Sequence, residues 1–112
     1  MRDNSLKDFI LDQLNELPEV VAVRMFNSWG LYSDTIFFGI INDGHLYFKT
    51  NEKTSLKYKE LGMRPFQPSP KQKLKNYYEV PMDIIDNADE LCKWATESVM
   101  LLRRLSPRES EG

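Results

Sequence analysis

Two hydrophobic periods alternate along the chain, and the switches between them outline its elements. Leu6, Phe9, Ile10, Leu14 and Leu17 recur at helical spacing. A first helix is therefore expected, opened by Ser5 with Asp8 in the capping-box position and ended by Pro18. Residues 20–26 are rich in β-branched side chains and predict a strand. A short second strand follows at 30–32, a turn at Ser33-Asp34, and a third strand at 35–41. That third strand is apolar on both faces, which places it centrally or under cover. Asn42-Asp43-Gly44 is a strong hairpin signal, because Asp-Gly supplies positive φ values. In the fourth strand, 45–50, alternation sends Leu46 and Phe48 to one side and His45, Tyr47 and Lys49 to the other.

Asn51 or Thr54 opens a short helix ended by Gly62, with Leu56 and Leu61 expected on its buried side and Tyr58 left open. Residues 64–70 contain Pro65, Pro68 and Pro70 and read as a loop. A fifth strand is expected at 74–80, stopped by Pro81. Asp83, Asp86 or Asn87 begins a last helix whose apolar stripe is Leu91, Trp94, Ala95, Val99 and Leu102. Arg103 and Arg104 suit its negative end.

Strands joined by short turns, with helices segregated around them, define an α+β fold: two layers, an antiparallel sheet of about five strands, N- and C-terminal helices and a short middle helix. The long helices would cover one sheet face. The other carries aromatics such as Tyr47, Tyr77 and Tyr78 and raises the expectation of a second subunit. Residues 1–105 are read as a single domain and 106–112 as a flexible polar tail.

Composition narrows the field. A chain of 112 residues can bury a core of its own. The formal net charge of −2 gives no global attraction to nucleic acid or anionic lipid. Cys92 is the only cysteine, which excludes an intrachain disulfide and suits a reducing compartment. No stretch approaches the ~20 apolar residues of a membrane span, and the first residues lack a signal peptide's apolar core. The expectation is a cytoplasmic, bacterial protein.

The run Arg24-Met25-Phe26-x-x-x-Gly30-Leu31-Tyr32 resembles a segment of the TfoX N-terminal domain family, which includes regulators of bacterial competence. The likeness continues through Phe38-Gly39-Ile40-Ile41-x-Asp43-Gly44-x-Leu46-Tyr47-Phe48-Lys49, Gly62-x-x-Pro65-Phe66, Tyr77-Tyr78-Glu79-Val80-Pro81 and Leu91-x-x-Trp94-Ala95. It implies an α+β domain of secretion-chaperone-like architecture. It also implies a non-enzymatic regulatory interaction module, linked to DNA transformation and acting with a transcription factor. One departure is visible. The family commonly has glycines directly after the phenylalanine, where this chain has Asn27-Ser28-Trp29.

Candidate chemistry is sparse. His45 is the only histidine and stands beside a turn, where solvation explains it. No His-x-x-His, Cys-x-x-Cys or Glu-x-x-His spacing occurs, so no metal site or cofactor is expected. Ser28 lies in no nucleophile elbow, and no phosphate-binding glycine loop is present. Cys92 reads as a small, inert helix residue. Arg24 stands out inside an apolar strand, and a structural pair with Glu79 is the expected explanation. Met25 and Phe26 read as core. A small-ligand pocket near Arg24 and Trp29 is a third functional reading.

Charge is uneven. Residues 49–75 hold eight basic residues and two acids, against seven and fifteen elsewhere. Lys57, Arg64, Lys71, Lys73 and Lys75 are candidate phosphate or nucleic-acid contacts, with nearby tyrosines offering stacking surfaces. A solvated surface explains the same residues, and no helix-turn-helix or zinc finger supports direct readout. The leading expectation is thus a homodimer with an unidentified regulatory protein partner, contacted through Arg24, Met25, Phe26, Gly30, Leu31 and Tyr32 if those residues are more than structural. Direct nucleic-acid binding is the alternative.

Overall fold

A computed structural model describes residues 2–104. The elements are α1 (Arg2–Gln13), β1 (Val20–Met25), β2 (Ser28–Ser33), β3 (Ile36–Asn42), β4 (His45–Lys49), α2 (Ser55–Glu60), β5 (Pro65–Ser69), β6 (Gln72–Glu79), α3 (Met82–Ile85) and α4 (Ala88–Arg104). The strands form one antiparallel sheet in the order β1-β2-β3-β4-β6-β5. This is the expected α+β architecture, with six strands instead of about five. The expected tail at 106–112, and the side chains of Arg103 and Arg104, lie outside the described residues.

Three two-residue turns set the registers of β1 to β4 and hence the face each side chain takes. Asp43-Gly44 has φ values of 49° and 80°, as its sequence predicts. The second turn is Asp34-Thr35, at φ 51° and 71°, so Thr35 leaves the expected third strand. Leu31 pairs with Gly39 and Tyr32 with Phe37, which makes Phe38 the extra residue of a β-bulge. Phe38 is consequently buried in the core while Phe37 meets Tyr32, ring centroids 5.1 Å apart.

The core fills the space between one sheet face and the helices. Ile10, Leu14 and Leu17 meet Leu31, Ile41, Leu46 and Phe48 from the sheet and Leu91, Trp94, Ala95 and Val99 from α4. Burying such side chains stabilises a fold by about 1.5–3 kcal/mol each before entropy is charged. α4 is the helix packed against the sheet's centre, and its stripe matches the expectation. Leu102 is only partly buried.

Several local expectations are corrected. α1 already includes Ser5, which is therefore not its cap, and ends at Gln13, with turns leading to Pro18. Phe9 lies at the rim of the apolar stripe and is exposed. Leu56 in α2 and Leu61 just after it are 54% and 55% exposed, whereas Tyr58 is fully buried. Tyr58 reaches the core as a ring packed edge-on to Trp94 at 4.7 Å, and Leu56, two residues away, must then face solvent. Met63 N–H donates to the Tyr58 carbonyl and Gly62 N–H to that of Lys59, a Schellman closure that the glycine's φ of 78° permits.

The proline-rich stretch expected as a loop forms β5. It is tolerated because β5 is an edge strand with an irregular register against β6. Tyr78 is not on the open face. It pairs with Phe48 and packs on the core, leaving Tyr47 and Tyr77 on the other side. The last helical region is divided: α3 precedes α4, and the Asn87 Oδ1 accepts the Glu90 N–H at 3.2 Å as the cap of α4.

Candidate interaction surface

Strand registers assign the open face. Leu31, Ile41, Leu46 and Phe48 point to the helices, so Val21, Val23, Met25, Tyr32, Ile40, Tyr47, Lys49, Tyr77 and Glu79 point away from them. The middle of this face is an aromatic pavement. Phe37 lies 6.0 Å from Tyr77, and Tyr47 lies 4.5 Å from Phe66 of β5. Lys49 Nζ stands 5.0 Å over the Tyr77 ring. Ile40 and Phe66 are buried, outside the main core. Desolvation, assisted by the nearby carboxylates of Glu79 and Asp43, pushes the Tyr47 hydroxyl up to about 12.

Toward β1 the pavement becomes aliphatic and open to solvent. Val21 and Val23 are 51% and 46% exposed. They line a depression of about 630 Å³ with Glu19, Tyr32 and Thr35.

The Arg24–Tyr32 motif is the β1–β2 hairpin. Met25 pairs with Ser28, so Phe26 and Asn27 form the turn. Phe26 occupies the left-handed region at φ 41°, although Asn27 is the residue suited to it. Its side chain is 99% exposed, which corrects the expectation that it is core. Met25 is half-buried and Leu31 fully buried. Gly30 is a close approach: a Cβ there would stand 3.0 Å from Met25 Sδ and 3.1 Å from Phe37 Cε1.

Arg24 is exposed, and the expected pair with Glu79 does not form, because β2, β3 and β4 separate their strands. Its guanidinium lies 5.3 Å over the Trp29 ring, with Lys7 Nζ 4.6 Å from the same ring. The Arg24 Nε also donates to the Phe26 carbonyl at 3.4 Å. Glu79 pairs instead with His45, Oε2 to Nδ1 at 2.5 Å, tying β4 to β6.

The basic segment wraps around the molecule. Lys57 pairs with Glu97 of α4 at 2.8 Å and lies 4.4 Å over Trp94, on the helical side. Lys59 and Lys75 line a depression of about 310 Å³ with Glu52 and Tyr78. Arg64, Lys71 and Lys73 are exposed on or beside the β5–β6 hairpin. Lys49 belongs to the open face.

Among the described residues, no group of three or more His, Cys, Asp or Glu is placed to hold a metal ion. Burial pushes the Cys92 thiol up, and its Sγ donates to the Gln13 carbonyl at 3.3 Å. No helix among the described residues is long and apolar enough to cross a membrane.

Fold and surface together define a small α+β domain with an open aromatic and aliphatic sheet face. A family model, the TfoX N-terminal domain, matches residues 12–101. The chain belongs to the TfoX N-terminal domain family, a regulatory family, and is a competence-regulator-like domain. No curated protein matches it.

The free valines Val21 and Val23 are the surface residues missed from the sequence. Their signal was present in Val20-Val21-Ala22-Val23, a strand without the lysine, proline or glycine that commonly guards an edge.

Proposed function

We propose that this chain is a non-enzymatic interaction module that acts with a transcription factor in the regulation of DNA uptake and works as a homodimer. The observation that carries the reading is the sheet face that none of the described helices covers, which ends in exposed Val21 and Val23 with exposed Phe26 in the adjoining turn. Exposed apolar residues contiguous on one face are the mark of a protein contact. Family membership supplies the regulatory setting.

The test is transcriptional. Transcripts of DNA-uptake genes are expected to fall when the gene is deleted from its host. The wild-type gene should restore them, and a folded Val23→Asp variant should not. Unchanged transcripts in the deletion strain would reject the reading.

A further inference from the structure

The two edges of the sheet are unlike. β5 carries Pro65 and Pro68 and pairs irregularly with β6, both of which discourage a further strand. β1 pairs with β2 without a break from Val20 to Met25 and contains no proline, glycine or bulge. No described strand lies beyond it. Its one charge, Arg24, is folded back over Trp29 and onto the Phe26 carbonyl, and so does not guard the edge.

Hairpin geometry fixes which backbone groups are free. Met25 and Ser28 flank a two-residue turn and exchange bonds with each other. Val21 and Val23 therefore also turn their N–H and C=O toward β2. Glu19 continues the series, its carbonyl accepting the Asp34 N–H at 3.2 Å. Val20, Ala22 and Arg24 turn theirs outward.

We propose that this edge pairs with the β1 edge of a second copy, antiparallel and with Ala22 opposite Ala22, merging the two sheets into one. The proposal rests on the homodimer in the functional reading above and names its interface. Three features select a second copy in this register. An antiparallel two-fold pair centred on Ala22 matches every outward group, Ala22 with Ala22 and Val20 with Arg24. It sets Val21 beside Val23 of the other copy, covering the exposed valines. It also sets Glu19 opposite Met25 of the other copy, one residue from Arg24, so that strand ends of opposite charge adjoin, and carries the exposed Phe26 to Pro18 of the second copy. A parallel pairing would put like charge on like.

Ala22→Pro removes an outward N–H that the β1–β2 ladder does not use, so the fold is expected to persist while the dimer is lost. Light scattering should give a dimer for the wild type and a monomer for Ala22→Pro, with matching circular dichroism. Cysteine scanning tests the register without depending on that variant. Ala22→Cys should cross-link between copies under mild oxidation, since paired residues at about 5.5 Å between Cα atoms accept a disulfide. Val21→Cys, opposite Val23, should cross-link at least tenfold less. A wild-type monomer, a folded Ala22→Pro dimer, or cross-linking stronger at 21 than at 22 would each overturn the edge pairing. A wild-type monomer would also remove the homodimer from the functional reading, the other two outcomes would leave it in place, and the regulatory role stands or fails on the transcript test in every case.

Discussion

Gly39 and Gly30 look alike in the sequence, as single glycines inside apolar strands, yet the structure makes them unequal. A Cβ on Gly39 would stand 3.0 Å from the Tyr47 carbonyl oxygen and 3.1 Å from Phe48 Cδ1. The first is backbone in the adjacent strand and cannot yield without disturbing the β3–β4 ladder. At Gly30 the nearest atom is the Met25 thioether, which can shift. Gly39→Ala is expected to cost about 1–3 kcal/mol by overpacking, and Gly30→Ala clearly less. Urea denaturation of the two variants checks the order, and equal losses would refute the distinction. The same scale shows where residue chemistry was readable. Asp43-Gly44 announced its turn because its conformational demand is intrinsic to those residues. Phe26 did not. An aromatic residue reads as core on hydrophobicity alone, and its exposed place at φ 41° follows from the two-residue closure of β1 on β2.

Elements were legible where a period ran long enough to specify a face. The stripe of α4 was, and so was the alternation of β4. α2 has six residues, too few for the sequence to tell Leu56 from Tyr58 as the inward side chain. Tyr58 wins because Trp94 and Tyr78 form the slot it enters, a tertiary fact with no local signal. β5 was unreadable for a different reason. Its prolines forbid a central strand but not an edge, and edge position depends on the whole sheet. The candidate surface was half legible: the aromatics of the open face follow from alternation, while the absence of the Arg24–Glu79 pair follows only from strand order. The sequence admits Asp83, Asp86 or Asn87 as the start of the last helix, and the structure selects Asn87 for α4 by its bond to the Glu90 N–H. Asn87→Ala is thus expected to cost about 1 kcal/mol. Asp83→Ala, outside α4, should be nearly neutral. A chemical-denaturation pair reads this directly, and a larger loss at Asp83 would show that α3 sets the helix instead.

At the scale of the whole molecule, both faces of the sheet are held by tyrosines whose hydroxyls are kept neutral. Tyr58 joins α2 to α4 and the sheet, and burial pushes its hydroxyl up. Tyr47 and Tyr77 are raised on the open face, again chiefly by desolvation. In the unfolded chain these groups release protons near their ordinary value of 10.0, while folded Tyr47 holds its proton to about 12. Below pH 10 the two states bind the same tyrosine protons, and stability does not depend on these groups. As pH rises through that window, the unfolded state loses protons that the folded state retains, so unfolding is favoured and stability falls. Cys92 acts in the same direction from its ordinary value of 9.0. The urea midpoint is therefore expected to be level from neutral pH to about 9 and to drop toward pH 11. Lysines titrate in the same range, so the decisive reading is the difference between the wild type and Tyr47→Phe. That variant has no hydroxyl to ionise at this position and should lose less stability at alkaline pH. A drop of equal depth in both proteins would mean that the Tyr47 hydroxyl is not held neutral by the pavement around it.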